Sequence, residues 1–282
     1  MSDMRRFLIV DVFTDKPFAG NQLAVFTNAT GMSDERMQTL AREINFSETT
    51  FVLPAEQGGD IRVRIFTPAR ELPFAGHPVL GTAFAIAGPL QSVLMRMETG
   101  AGIVPVLLER EGAKIVFGSM QQPVPTWQPF GAADELLAAL GVCGSELPVE
   151  VYDNGIQHVF VMLSSDAEVS GLRPDLTRLA AVAGEVGVNC FSAGGGTAKT
   201  RMFFDDIGMA EDAATGSAAG PLAVHLARHG LLGWGEELVV SQGAEIGRPS
   251  TLYARADGSA EEVTGVNVGG CAVVVAKGEF SL

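Results

Sequence analysis

The chain has 282 residues, 47% of them hydrophobic and 18% charged, which is ordinary for a globular protein of about two domains with a sizeable core. The 33 acidic residues outnumber the 19 basic ones and give a formal net charge of −14, which argues against nucleic acid or an anionic membrane as a partner. The three cysteines, Cys143, Cys190 and Cys271, lack the C-x-x-C spacing of a zinc or redox site, so the expected location is the cytoplasm. We expect neither a signal peptide nor a membrane span, because no apolar run approaches ~18 residues.

Short strands and two helices are predicted in the first half of the chain. Ser33 is expected to cap a helix that ends near Asn45, because apolar residues recur at helical spacing between positions 37 and 44. A second helix is expected at 78–87, with Pro78 in its first position and Gly88-Pro89 as its stop signal. This helix is apolar nearly all round and should be buried. The predicted strands are 7–13, 23–26, 49–53 and 61–65, followed by a hairpin of 103–108 and 114–117.

The second half repeats this order after a segment rich in proline, 121–129, which is the expected domain boundary. Its central helix, 218–229, is again apolar and follows a polar loop. Gly269-Gly270 predicts a two-residue hairpin between two closing strands, and the glycines at 194–196 predict a surface loop. The remaining predicted elements are helices at 134–140 and 176–183 and strands at 158–163 and 201–204.

The matching order of elements indicates a duplicated unit in which strands surround a central apolar helix. A shorter echo supports duplication, because Pro17-Phe18-Ala19-Gly20 recurs as Pro73-Phe74-Ala75-Gly76. We therefore predict an α+β chain of two similar domains, 1–122 and 123–282, each a β-sheet around a central helix. The last strand is free to cross back to the first domain.

Two short motifs precede the two apolar helices: Pro73-Phe74-Ala75-Gly76-His77-Pro78 and Glu211-Asp212-Ala213-Ala214-Thr215-Gly216-Ser217. Each places a glycine and a hydrogen-bonding side chain where the first helical N–H groups have no partner inside the helix. Such a helix start is a natural seat for a carboxylate or another anion. Two of them, about 140 residues apart, predict a small anionic ligand held between two domains.

Glu48 is the candidate general acid and base. Its apolar neighbours Phe46, Phe51 and Val52 would raise the pKa of its carboxyl toward neutrality, so that one group could take and return a proton. The alternative is a solvated glutamate at the entry of a strand. His77 is a candidate to donate to a substrate oxygen or to steady Glu48, and its alternative is a helix N-cap.

Asp212 is a candidate to orient an amine or hydroxyl or to relay a proton. Its alternative is a solvated loop acid, because Asp205, Asp206 and Glu211 lie nearby in the sequence. Ser217 is by default an N-cap, a role that is compatible with ligand binding.

Gly76 and Gly216 would allow the backbone to approach a ligand closely, or they serve turn geometry alone. His225 and His229 have the i, i+4 spacing of a metal pair, but no third ligand has a natural place nearby and His229 suits the helix end. The glycines at 194–196 lack the spacing of a phosphate loop, and no G-x-G-x-x-G follows the first strand. We therefore expect no metal and no cofactor.

Six motifs occur in order along the chain. In the first half they are Asp11-Val12-Phe13 with Phe18-Ala19-Gly20-Asn21, Ser47-Glu48-Thr49-Thr50-Phe51-Val52, and Phe66-Thr67-Pro68 with Glu71-Leu72-Pro73-Phe74-Ala75-Gly76-His77-Pro78. In the second half they are Glu211-Asp212 with Ala214-Thr215-Gly216-Ser217-Ala218, Gln242-Gly243 with Gly247-Arg248-Pro249-Ser250, and Val268-Gly269-Gly270. In these motifs the chain resembles the phenazine-biosynthesis isomerases, or PhzF-like proteins.

The resemblance implies the two-domain fold of diaminopimelate epimerase, with the site in the cleft between the domains. It also implies a catalytic role for Glu48, and substrate binding or proton relay by His77, Asp212 and Ser217. Ala213 departs from the family, which often has proline there, and this should alter loop stiffness more than chemistry.

The epimerases and proline racemases of this fold carry two cysteines just before the helix-start glycines. In this chain the two positions hold Ala75 and Thr215, which excludes a two-cysteine mechanism because the thiolate is its base.

The function that this resemblance implies is a cofactor-independent isomerase that moves a proton between carbons of a small unsaturated cyclic carboxylic acid similar to dihydro-hydroxyanthranilate. A homodimer is the expected assembly. Two alternatives stay open: a protein that binds a small molecule without turnover, and another isomerase, epimerase or lyase activity on the same scaffold.

Overall fold

The computed structural model of the protein describes residues 4–204 and 210–282, and only the backbone of Pro89 and Leu90. The described helices are α1 (Asp34–Ile44), α2 (Gly76–Leu90), α3 (Ala133–Leu140), α4 (Asp166–Gly171), α5 (Leu176–Ala183) and α6 (Gly216–Arg228). Strands β1 to β9 are Met4–Val12, Asn21–Phe26, Glu48–Leu53, Ile61–Phe66, Glu71–Leu72, Leu94–Thr99, Gly102–Glu111, Lys114–Gln122 and Thr126–Pro129. Strands β10 to β17 are Glu150–Asp153, Gln157–Met162, Gly187–Gly194, Thr197–Phe203, Glu237–Gln242, Ser250–Gly258, Val263–Gly270 and Ala272–Ser281.

The first of two compact units contains the described residues up to Gln121 together with Gly269–Leu282. Strand β1 lies between β2 and β17 and is antiparallel to both. Strand β3 runs parallel to β2, and β4 runs antiparallel to β3. Strand β6 continues parallel to β4, and β7 and β8 follow as antiparallel neighbours. The last strand of the chain therefore pairs with the first strand of the same unit.

Helix α2 is the centre of this unit. It packs against β1, β2, β3, β6, β7 and β17, and its apolar side chains, including Leu80, Ala83 and Phe84, are buried. The approach of the strands is close, because a Cβ on Gly81 would lie 2.6 Å from Val12 Cγ2. Strands of this unit thus pack around a helix that is apolar nearly all round and buried, as the sequence predicts.

Helix α1 covers another part of this sheet. The Ser33 side chain accepts a hydrogen bond from the Arg36 N–H, and Asn45 ends the helix in the left-handed conformation. Both predicted ends of this helix are confirmed.

The second unit runs from Gln122 to Val268. Its strands β9, β10 and β11 pair in antiparallel fashion, β12 lies parallel to β11, and β13 returns antiparallel to β12. Strand β14 is parallel to β13, and β15 is antiparallel to β14. Helix α6 packs against β15, and every residue of it from Gly216 to Ala227 is buried.

Three local predictions differ from the structure. Helix α2 begins at Gly76, so Pro78 is its third residue, and it continues through Gly88-Pro89 to Leu90. Near its end, Arg110 Nη2 donates to the Ala87 carbonyl at 2.6 Å, which satisfies one of the last-turn acceptors.

The predicted hairpin at Gly269-Gly270 is wrong, because both residues lie in β16. A Cβ on Gly269 would lie 2.8 Å from the Gly118 carbonyl oxygen, so glycine serves close packing there and not a turn. The predicted loop at 194–196 is instead the tight turn between β12 and β13, and Gly195 and Gly196 have φ values of 59° and 76°.

Candidate active site

Glu48 and His77 lie together in the first unit. Glu48 is the first residue of β3, opposite Leu23 in the parallel pairing with β2, and His77 is the second residue of α2. His77 Nε2 lies 3.4 Å from Glu48 Oε2, and the side chains are only 4% and 11% exposed. The strand and the central helix therefore bring together two groups that are 29 positions apart in the sequence.

Burial raises the pKa of the Glu48 carboxyl to about 7. Among the described residues, Glu48 Oε2 has no hydrogen-bond partner. The carboxyl can therefore exist in both protonation states near neutral pH. The alternative of a solvated glutamate at a strand entry does not fit this buried position.

A buried hydrogen-bond chain fixes the tautomer of His77. Ser47 Oγ donates to Asn21 Oδ1 at 3.3 Å, so the Asn21 amide nitrogen faces His77 Nδ1, also at 3.3 Å. An amide nitrogen can only donate, so Nδ1 accepts and the neutral imidazole carries its hydrogen on Nε2, toward Glu48. Sequence reasoning did not assign a role to Asn21, although it ends the motif at 18–21.

The two predicted helix starts have the same construction. The N-cap residues are Ala75 and Thr215, and neither side chain bonds a helix N–H among the described residues. Gly76 and Gly216 are the first helical residues of α2 and α6, and His77 and Ser217 are the second. The N-cap alternatives for His77 and Ser217 are therefore wrong. Because neither N-cap side chain bonds a helix N–H, the positive end of each helix dipole can favour a bound anion.

In the second unit, the Thr215 hydroxyl is engaged by Asp212 instead of by the helix. Thr215 Oγ1 donates to Asp212 Oδ2 at 2.6 Å, and Gln242 Nε2 donates to Thr215 Oγ1 at 3.0 Å and to the Asp212 carbonyl at 2.9 Å. Gln242 Oε1 accepts from the Thr215 N–H at 3.2 Å. These bonds hold the Asp212 carboxylate next to the start of α6. Gln242 belongs to one of the quoted motifs, which was the available signal for its role.

The loop before α6 is anchored by a buried ion pair. Arg201 Nε and Nη2 bind the two carboxylate oxygens of Glu211 at 2.9 and 2.6 Å, and Arg201 Nη1 donates to the Leu172 carbonyl at 2.9 Å. Asp212 is also buried. The alternative that Asp212 is a solvated loop acid therefore does not hold, while Asp205 and Asp206 lie outside the described residues.

The backbone at Ser217 is fixed by polar side chains that the sequence did not identify. Pro221 lies inside α6 and has no N–H, so the Ser217 carbonyl four residues earlier loses its helical donor. Asn154 Nδ2 donates to that carbonyl at 2.9 Å, and Gln122 Nε2 donates to the Gly216 carbonyl at 2.8 Å.

The expectation that His225 and His229 have no third neighbour is corrected. Glu150 Oε2 lies 3.2 Å from His225 Nδ1 and 3.1 Å from His229 Nε2. The same oxygen also accepts from Arg228 at 2.7 Å and from the Tyr152 hydroxyl at 3.1 Å. Burial alone would raise the pKa of Glu150, but the hydrogen bonds from Arg228 and His229 prevail and lower it to about 2. A guanidinium at this distance repels a divalent cation, so we assign the group to a hydrogen-bonded cluster that ties the end of α6 to β10.

Comparison with known proteins gives consistent matches along the chain. The sequence profile of a family described as phenazine biosynthesis-like protein matches residues 10–278. Trans-2,3-dihydro-3-hydroxyanthranilate isomerase from Pseudomonas aeruginosa is 51% identical over 279 residues, which cover 99% of this chain and 100% of that protein. The enzyme of the same name from Pseudomonas chlororaphis is 47% identical, with the same coverage.

Solved structures give the same result for the fold. A phenazine biosynthesis protein of the PhzF family from Bacillus anthracis superposes with a TM-score of 0.84 at 27% identity, over 99% of this chain and 100% of that one. A hydroxyproline epimerase from Agrobacterium vitis gives a TM-score of 0.67 at 10% identity, over 98% of this chain and 91% of that one, and shows the fold alone.

These matches confirm the resemblance inferred from the six motifs, the two-domain α+β class and the expected isomerase class. In the described part of the chain, no helix has the length and apolar character needed to span a membrane.

Proposed function

The chain belongs to the phenazine biosynthesis-like protein family, and we propose that it is a cofactor-independent isomerase of trans-2,3-dihydro-3-hydroxyanthranilate. The substrate is proposed from the named relatives, which match 99% of the chain at 46% to 51% identity. The observation that carries the catalytic part is the buried Glu48 carboxyl, whose pKa is raised to about 7 and which lies 3.4 Å from His77 Nε2.

In the proposed reaction, the Glu48 carboxylate removes a proton from one ring carbon of the substrate. The electron pair of the broken C–H bond moves through the adjacent double bonds, and the Glu48 carboxylic acid returns a proton to another carbon. No atom is gained or lost, so one residue acts as base and then as acid. A pKa near the working pH suits both steps, because neither protonation state is then strongly favoured.

His77 is proposed to hold Glu48 in position and to face the substrate from the start of α2. The distance of 3.4 Å between Nε2 and Oε2 is longer than an ordinary hydrogen bond, so the carboxyl is not locked into that contact. The neutral tautomer with hydrogen on Nε2 can stabilise negative charge on Glu48 without taking its proton.

The second unit is proposed to bind polar groups of the substrate. Asp212, oriented by Thr215, would accept from the amino or hydroxyl group. In this unit, Ser217 and the N–H groups at Gly216 would bind the carboxylate, and the N–H groups at Gly76 offer the same chemistry in the first unit.

The test is proton NMR of the purified protein with trans-2,3-dihydro-3-hydroxyanthranilate in deuterated water. We expect the ring signals of the substrate to give way to those of an isomer that carries deuterium on one carbon. Tight binding with an unchanged spectrum would contradict the proposal and favour a protein that binds without turnover. A product of different mass would favour a lyase on the same scaffold.

The proposal includes a homodimer that works in the cytoplasm. Support for the location comes from the three cysteines, which are free thiols in the structure, as expected in a reducing compartment. Light scattering on the eluting protein should give twice the mass of one chain, and a single-chain mass would contradict the dimer.

A further inference from the structure

His158 is a buried histidine that the proposed reaction does not use. It lies on β11 with no side-chain exposure, and its Nε2 is 3.1 Å from Ser217 Oγ. Its other ring nitrogen, Nδ1, has no hydrogen-bond partner among the described residues. Burial lowers the pKa of the ring to about 3, so His158 is neutral under ordinary conditions.

The surroundings of the ring decide which nitrogen carries the hydrogen. A neutral imidazole has one N–H and one acceptor nitrogen, and Ser217 can serve either of them. A hydrogen on Nδ1 would leave a buried donor without an acceptor, which is rarer in folded proteins than an unmatched acceptor. The hydrogen therefore belongs on Nε2, which donates to Ser217 Oγ.

This direction determines what Ser217 can do. A hydroxyl that accepts from His158 keeps its own hydrogen for a different acceptor. Ser217 is the second residue of α6, where the helix dipole favours an anion. Hydrogen bonds that point the same way along a chain strengthen one another.

We propose that His158 is a positioning residue that turns the Ser217 hydroxyl outward as a donor to the carboxylate of the substrate. The identity of that carboxylate rests on the proposed function, in which the substrate is trans-2,3-dihydro-3-hydroxyanthranilate. His158 itself does not touch the substrate and acts only through Ser217.

The fold holds the ring in this orientation from two sides. Gly187 is the residue opposite His158 in the parallel pairing of β11 and β12, and a Cβ there would lie 2.8 Å from His158 Nδ1. The Phe204 ring meets the imidazole edge-on, with centroids 5.8 Å apart. The same Cβ would lie 2.5 Å from Phe204 Cε1, so the space at Gly187 is filled by both rings and a larger residue there would disturb their packing.

The first test is the tautomer, which does not depend on turnover. The chain has only four histidines, so long-range proton–nitrogen correlation of ¹⁵N-labelled protein gives four ring patterns, and His158→Phe identifies one by its loss. We expect the pattern of a neutral ring with hydrogen on Nε2, unchanged between pH 8 and pH 5. A hydrogen on Nδ1, or a charged ring, would overturn the proposal.

The second test separates positioning from packing. His158→Phe keeps the ring but removes the donor, and should raise KM about tenfold while kcat changes less than about threefold. His158→Gln keeps an N–H donor at a similar reach and should recover most of the loss. In a Ser217→Ala background, His158→Phe should have no further effect. Equal KM values for His158→Phe and the parent, or no recovery by His158→Gln, would contradict the proposal.

The experiments distinguish a failure of the proposed isomerase function from a failure of the proposed role of His158. If the parent protein does not turn over the substrate, the proposed function fails by itself, and anthranilate serves as the carboxylate probe in a calorimetric titration. Weaker anthranilate binding by His158→Phe than by His158→Gln would still support the role of His158, and equal binding would overturn it. Normal turnover together with the Nδ1–H tautomer would overturn the role of His158 alone.

Discussion

The raised pKa of Glu48 has a consequence for stability that can be measured without any substrate. In the unfolded chain the carboxyl loses its proton at its ordinary pKa of 4.5, while in the folded protein it does so at about 7. Between these values the folded state binds more protons than the unfolded state, so the contribution of Glu48 to stability falls as the pH rises. The loss is absent well below pH 4.5 and complete well above pH 7.

At ~1.4 kcal/mol per pKa unit, the difference between 4.5 and about 7 corresponds to roughly 3 kcal/mol of unfolding free energy. Glu48→Gln keeps the shape of the side chain but cannot ionise, so it escapes this loss. Because part of the loss has already occurred at pH 5, the variant should gain about 2.5 kcal/mol relative to the parent between pH 5 and pH 8. Any constant effect of the new amide group is the same at both values and cancels in the comparison.

The assay is urea unfolding followed by far-ultraviolet circular dichroism at pH 5 and pH 8. Glu43→Gln is a matched control, because Glu43 is exposed on α1 and its substitution makes the same chemical change at the surface. We expect this control to follow the parent at both pH values. A stability difference between Glu48→Gln and the parent that is equal at pH 5 and pH 8 would refute the argument that burial disfavours the Glu48 carboxylate.

Three further predictions concern the framework of the site. Asn154→Leu leaves the Ser217 carbonyl without a donor and should lower the free energy of unfolding in urea by about 1–3 kcal/mol. Adding Pro221→Ala to this variant returns a backbone N–H and should restore part of the loss, and no recovery would contradict this account. Gly81→Ala places a methyl group 2.6 Å from Val12 Cγ2 and should destabilise the protein by about 1–3 kcal/mol in the same assay, so an unchanged transition would disprove the close packing of α2. Glu150→Gln removes a carboxylate whose pKa is held at about 2. Thermal melts should therefore show a loss of stability at pH 7 that shrinks as the pH falls from 4.5 toward 2, and a loss independent of pH would contradict this prediction.

Local sequence patterns predicted the parts of the fold that depend on interactions between residues close in the sequence. Ser33 and Asn45 were identifiable as helix ends, because a side-chain acceptor and a residue that tolerates positive φ have specific effects at those places. The helices α2 and α6 were identifiable as buried, because apolar residues lie on nearly every face of each helix. Gly269 was misassigned, because the sequence alone does not distinguish a glycine required by close packing from one required by a turn.

The candidate site was predictable only in part. The helix starts at Gly76 and Gly216 were visible as motifs, but the contact between Glu48 and His77 depends on how a strand packs beside a helix. His158 gave no signal, since it stands in an ordinary apolar strand and meets Ser217 only through tertiary packing. The neighbour of His225 was missed for the same reason, because Glu150 lies 75 residues away in the sequence.

The central claim is that Glu48 carries the proton in the reaction. The most direct measurement is deuterium incorporation from heavy water into trans-2,3-dihydro-3-hydroxyanthranilate and its product, followed by NMR for the parent, Glu48→Gln and the Glu43→Gln control. We predict incorporation and conversion by the parent and the control, and neither by Glu48→Gln, although that variant should be folded and should still bind the substrate. Undiminished incorporation and conversion by Glu48→Gln would contradict the claim, because the proton would then be carried by another group.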